Sequence, residues 1–381
     1  LLRTARAQGN DDFLMFGEVA LDGADAAAKA FTSHYTTAAR MQAILDFPFQ
    51  WAARDFASRG HDARELASFF ENDDWYTDRD SNVYALPTFL GNHDMGRFGW
   101  MVGHDNPEAD AEELLARDRL GHELMFLSRG MPVVYYGDEQ GFTGTGGDQV
   151  ARQTMFASQV PDYVDDVQLG TDGKTPATDS FDTEHPLYRT IAELDALTER
   201  HPALRDGAHQ MRYAADGPGL VAFSRTDRRQ QREYVVVLNN ATTQATGSAP
   251  TYVPAPNFRK ASGPGPEPLT TDRPRRLAVT LPGLSTAVYA LRGRLPESRG
   301  APAIRLHRVA PSREARGRMH VRATLSRPDF AEVTFQAKVR NAGGGGGVGT
   351  HDPAPGHGFP HGSRPPPGAR PPTPADAVRN A

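Results

Sequence analysis

Short apolar runs alternate with long helix-forming segments across residues 1–209, and few folds accommodate that alternation. Residues 13–16 are apolar throughout and stop at Gly17-Glu18. A second run, 44–49, carries Asp46 within it and is stopped by Pro48. The third, 84–90, ends at Gly91-Asn92-His93-Asp94, and the fourth, 132–136, is followed by Gly137-Asp138-Glu139. Among the helical segments, 24–40 is rich in Ala, and 52–70 sets Leu66, Phe69 and Phe70 at near-helical spacing. Segment 111–127 gathers Leu114, Leu115, Leu120, Leu124 and Leu127 on one side, and 185–199 begins near Pro186 and ends before Pro202. Strands that are apolar throughout are covered on both faces, as in a parallel sheet flanked by helices. The first 209 residues therefore predict an α/β architecture of β/α units.

Beyond residue 210 the pattern changes to strand after strand: 220–224, 234–238, 277–281 and 286–291, punctuated by Gly, Pro and Asn. That predicts a separate antiparallel β domain over 210–292. A second β pattern, with 319–325 and 331–339, offers too few strands over 301–339 to close a sandwich. Residues 341–381 contain ten Gly and nine Pro and no Leu, Ile or Met, so they cannot bury enough apolar surface to offset ordering, and 340–381 is expected to lack regular structure. His351, His357 and His361 lie in this low-complexity tail and read as loose residues rather than metal ligands.

Composition narrows the function. With 42 basic and 47 acidic residues the net charge is −5, which argues against a domain-wide nucleic-acid surface. Cysteine is absent, which excludes disulfides, a thiol nucleophile and thiolate metal sites. No apolar run approaches the ~18 residues of a membrane span. Residues 1–10 carry Arg3 and Arg6 and read as the end of a helix, not as a signal peptide.

The strand ends hold the candidate chemistry. In parallel β/α folds ligands bind beyond the carboxyl ends of strands. Glu18, Asp46, His93-Asp94 and Asp138-Glu139 all follow or interrupt apolar runs, and several carboxylates at one sheet end suit carbohydrate chemistry, as acid, nucleophile or hydroxyl ligand. Glu18 also fits a structural carboxylate paired with an arginine or a backbone amide, and His93-Asp94 a loop pair satisfied locally. Trp51, Trp75, Tyr76, Trp100, Tyr135 and Tyr136 flank these points, and one or two of them are expected to stack on a sugar, the rest serving as core or loop anchors.

Three blocks carry a resemblance: Phe16-Gly17-Glu18-Val19, then Phe89-Leu90-Gly91-Asn92-His93-Asp94, then Gly130-Met131-Pro132-Val133-Val134-Tyr135-Tyr136-Gly137-Asp138-Glu139. In this order and rough spacing they resemble the α-amylase family, glycoside hydrolase family 13, over about residues 1–292. Asp46-Phe47-Pro48-Phe49 and Gly147-Asp148-Gln149-Val150-Ala151-Arg152 also look like family segments. The resemblance implies a (β/α)8 TIM barrel followed by an antiparallel β-sandwich, here strands five to eight over 1–209, with 301–339 as an incomplete immunoglobulin-like domain. It implies that Glu18 is the general acid/base and Asp94 the third carboxylate. His93, Asn92, Asp46 and Arg97 are the implied substrate-binding residues.

The same resemblance expects a nucleophilic Asp in a Gly-Phe-Arg-x-Asp-like block a few tens of residues before Glu18. Residues 1–17 hold no match, and Asp11 and Asp12 precede the strand at its other end. The chain is therefore expected to be part of a longer, retaining, secreted α-glucan hydrolase, inactive by itself and monomeric when full-length. The implied partner is starch or a maltooligosaccharide, with no nucleic acid and no membrane. No cofactor or metal site is expected within these residues, and calcium is left to the missing half. The alternatives are a transglycosylase, debranching enzyme or α-glucosidase of the same family, or a non-catalytic glycan-binding protein.

Overall fold

The computed structural model describes residues 1–39, 41–78, 81–144, 147–227, 229–267, 275–296, 303–311, 319–326, 335–338 and 348–351. Helix α1 (Leu2–Ala7) leads to β1 (Phe16–Gly17), α2 (Ala26–Thr37) and β2 (Ala43–Ile44). Helix α3 (Phe47–Ala53) runs on as a π-helical turn, Arg54–Ser58, and is followed by α4 (Ala63–Glu71). Then come β3 (Pro87–Thr88), α5 (Phe98–Asp105), α6 (Ala111–Leu127), β4 (Met131–Pro132), α7 (Pro186–Arg200) and α8 (Pro202–Asp206).

Strand β1 pairs in parallel with β2, and β3 with β4. The amide of Asp46 donates to the Pro87 carbonyl at 2.9 Å, which joins the two pairs and sets the four strands side by side in chain order. Helical crossovers return the chain to the same starting end each time, so the strands run one way. The regular ladders are only two residues long, shorter than the apolar runs predict. The burial expected of these apolar runs holds for β2 and β3 but not for β1 and β4, where Leu14, Phe16, Val133 and Tyr136 are 44%, 54%, 44% and 45% exposed. The second run departs most: Phe47-Pro48-Phe49 opens α3, because the Asp46 carboxylate accepts from the Phe49 amide at 3.1 Å and Pro is tolerated in a first helical turn. Helix α6 spans the predicted 111–127, capped by Asp110 and carrying Glu112 and Glu113 in its first turn.

The antiparallel part has a five-stranded sheet in the order β5 (Ala208–Ala214), β6 (Leu220–Asp227), β7 (Arg232–Asn239), β11 (Ser285–Leu291), β9 (Phe258–Ser262). A two-stranded sheet pairs β8 (Ala245–Pro250) with β10 (Arg276–Leu281). Side chains alternate across the larger sheet. Val221, Phe223, Tyr234, Val236, Leu238, Val288 and Ala290 join the helical core, with Phe49, Leu66, Phe70, Leu124, Leu197 and Leu204. Leu220, Ala222, Val235, Val237, Ala287 and Tyr289 instead face Ala249 of β8 and Leu277, Val279 and Leu281 of β10. Strands β6 and β7 are thus buried on both faces, which explains the apolar runs 220–223 and 234–238 within them.

Strand β12 (Ile304–Pro311) pairs antiparallel with β13 (Met319–Leu325), and β14 (Phe335–Lys338) with β15 (Val348–His351). The last pairing corrects the expectation of no regular structure after residue 340: a ladder is made by backbone groups and forms without apolar side chains. Residues 352–381, including His357 and His361, lie outside the described residues.

Candidate active site

Glu18 is the first residue past β1 and is exposed. The turn that carries His93 and Asp94 follows β3 at the same strand end. At ~4.8 Å per strand, β1 and β3 are about 10 Å apart laterally, with β2 between them. Gly91 permits the tight return of this turn, since a Cβ there would lie 2.5 Å from the Gly96 carbonyl oxygen. The Asn92 side chain accepts from the amides of Asp94 at 2.9 Å and Met95 at 2.8 Å, an Asx arrangement that holds the apex. His93 and Asp94 therefore project into solvent, 49% and 54% exposed, with His93 Nε2 3.3 Å from Asp94 Oδ1. Arg152 reaches Asp94 at 3.2 Å and Asp148 at 2.9 Å from the long β4–α7 connection. Exposed pairs of this kind are weak and exchange readily with a ligand's hydroxyls.

Two expected substrate ligands are corrected. Asp46 is fully buried; besides capping α3 it pairs with Arg129, which also binds Asp73 at 2.9 Å. Lys29 completes this chain of charges, 2.8 Å from Asp73. Burial alone would raise the Asp73 carboxyl, but Arg129 and Lys29 outweigh it and hold it below the ordinary carboxylate value. Arg97 is likewise fully buried. Its Nη1 donates to the Tyr136 carbonyl and, at 3.1 Å, to Asp138 Oδ1, and its guanidinium lies 3.9 Å from the Tyr135 ring centre, 4.9 Å from that of Tyr136 and 5.1 Å from that of Phe142. Neither side chain presents surface to a sugar. Both anchor the strand ends on which exposed groups sit.

Asp138 follows β4 but is buried, and that burial outweighs Arg97 and pushes its carboxyl up to about 6. Close by, His122 lies 3.0 Å from Asp118. Burial would lower the imidazole, but Asp118 raises it to about 9. Glu139 turns back to accept from the Gly137 amide at 2.8 Å. Of the flanking aromatics, Trp75 and Tyr76 are core, Trp51 donates to the Leu21 carbonyl, Trp100 stacks on His104, and Tyr136 is 45% exposed at the end of β4.

The family model "Alpha amylase, catalytic domain" matches residues 2–207, more than half of the chain. The chain belongs to the alpha-amylase family. It is 47% identical over 351 residues to an alpha-amylase of Streptomyces lividans, covering 92% of this chain and 37% of that protein. It is 28% identical over 172 residues to a cyclomaltodextrin glucanotransferase of Paenibacillus macerans, covering 45% of this chain and 19% of that one. The solved structure of an Anoxybacillus alpha-amylase superposes with a TM-score of 0.55 at 22% identity, over 77% of this chain and 55% of that one. This alpha-amylase-family chain thus spans little more than a third of the Streptomyces relative. The sequence reading missed the burial of Asp46 and Arg97, whose partners Arg129 and Asp138 stand 83 and 41 residues away.

Proposed function

We propose that this chain supplies part of the active site of a retaining α-1,4-glucan hydrolase. Glu18 protonates the glycosidic oxygen and then deprotonates the attacking water. Asp94 holds sugar hydroxyls and stabilises positive charge at the anomeric carbon, His93 hydrogen-bonds the same sugar, and Asn92 fixes their turn. The observation that carries this reading is that an exposed Glu18 and an exposed His93-Asp94 pair leave the same end of the parallel strands β1 and β3, with β2 between them. Retention requires a second carboxylate ~5–5.5 Å from the acid/base, across the anomeric carbon. That nucleophile belongs to the remainder of the full-length protein, as do strands one to four of a barrel in which β1–β4 are the fifth to eighth. In this reading residues 1–209 are the barrel portion, 210–292 a β-sandwich domain and 301–339 a further β domain.

Among the described residues no group of three or more His, Cys, Asp or Glu could hold a metal ion. No helix among the described residues is long and apolar enough to cross a membrane. A starch-sized polymer cannot enter a cell, which supports an extracellular site of action. The likeness to a cyclomaltodextrin glucanotransferase keeps glucan transfer as a second reading. Joining the upstream portion of the Streptomyces relative to this chain and separating the products made from starch tests both. Linear maltooligosaccharides support hydrolysis, cyclic products support transfer, and the unjoined chain is expected to release no reducing sugar.

A further inference from the structure

Phe156 and Phe181, both on the β4–α7 connection, are 66% and 54% exposed, yet their rings touch edge to face with centres 5.1 Å apart and planes inclined at 64°. Scattered exposed apolar residues are ordinary, but a paired, pinned set is not. Phe181 is held outward by its neighbours. Ser180 is buried and accepts from Gln168 Nε2 at 2.7 Å, while the Gln140 side chain clamps the backbone of Asp182, donating at 3.0 Å and accepting at 2.9 Å. With residues 180 and 182 tied inward, Phe181 points out. The two segments are also stitched together. The Ser180 amide donates to the Met155 carbonyl at 2.8 Å, and the Ala157 amide to Asp179 Oδ1 at 2.7 Å. The pair is therefore preorganised, and binding to it orders little.

The location narrows the ligand. Arg152, which meets Asp94 at 3.2 Å, is four residues before Phe156, so the two backbones are at most ~14 Å apart. Gly147 presses on the same turn, since a Cβ there would lie 2.6 Å from the Asp94 carbonyl oxygen. The exposed Asp179 and Asp182 flank the rings with hydroxyl acceptors and repel polyanions. Aromatic faces edged by carboxylates suit a ligand with apolar C–H faces and a hydroxylated rim. We propose that Phe156 and Phe181 form a stacking site for a gluco-oligosaccharide, beside the Glu18/Asp94 cleft and separate from it. The proposal rests on the glucan reading above. The pair guides a long chain toward the cleft and holds it while the cleft acts.

The full chain is titrated with maltoheptaose, with saturation-transfer NMR reporting the sugar C–H protons. Phe156→Ser with Phe181→Ser should weaken binding at least tenfold and leave the melting temperature unchanged, because both rings are exposed. Phe156→Tyr with Phe181→Tyr should retain binding. Binding that survives the serine pair, or none detectable in the unmodified chain at millimolar sugar, overturns the site. Binding lost only in a variant with His93→Ala and Asp94→Ala also overturns it while supporting the cleft. The glucan reading fails separately, if the rejoined enzyme leaves starch intact.

Discussion

Arg97 Nη1 and Asp138 Oδ1 lie 3.1 Å apart with both side chains buried, and this pair ties the His93-Asp94 turn to the end of β4. Arg97→Met leaves the Asp138 charge uncompensated, which should cost about 3–5 kcal/mol of stability. Because burial holds the Asp138 carboxyl up near 6, the loss should be larger at pH 8 than at pH 5, where the acid is increasingly protonated. Urea denaturation at the two pH values measures it, and equal losses would show that the pair is not electrostatic.

His122 predicts an alkaline weakening. Its folded-state pKa of about 9 lies above the ordinary 6.5, so its stabilising contribution is full below pH 6.5 and fades as pH rises to 9. Asp118 and Asp138 are the charges that face it. Melting temperature should fall between pH 6.5 and 9.5 in the unmodified chain and fall less in His122→Gln. Parallel curves would remove His122 from the account.

Asp46→Ala should cost about 3–5 kcal/mol by leaving Arg129 short of one buried partner and α3 without its cap. Calorimetric melting reports that loss. Maltooligosaccharide affinity, measured well below the melting temperature, should not change, and a selective loss of affinity would return Asp46 to the substrate.

Gly137 sits at φ +90°, and a Cβ there would lie 2.3 Å from the Phe142 ring that flanks Arg97. Gly137→Ala therefore combines left-handed backbone strain with overpacking, about 2–5 kcal/mol together. Chemical denaturation of the single variant checks the figure.

Much of this architecture is readable from local pattern. The α6 span, the sequence of strand ends and the change to antiparallel strands near 210 each depend on residues close in sequence. The five-leucine stripe read on α6 does not hold, since Leu120, Leu124 and Leu127 are core beside the buried Arg117, Asp118 and His122 and Leu115 lies outside that cluster. What local pattern could not separate was Glu18 from Asp46. Both are acids beside an apolar run, yet one is exposed and the other is enclosed by Arg129, 83 residues away. Arg97 misled in the same way, since the resemblance implied a substrate ligand while Asp138 and three aromatic rings enclose it. Phe156 and Phe181 gave no periodic signal, because hydrogen bonds from Gln140 and Gln168 orient their segment rather than a helix or a ladder.

Reducing-sugar release from starch by the chain rejoined to the upstream portion of its Streptomyces relative, compared between the unmodified protein and its Glu18→Gln variant, tests the central assignment most directly. A neutral amide cannot protonate the leaving oxygen, and general acid–base catalysis contributes typically 10²–10⁴-fold, so kcat should fall by roughly that factor while starch binding persists. Activity unchanged in Glu18→Gln would contradict the account and move the acid/base to another residue.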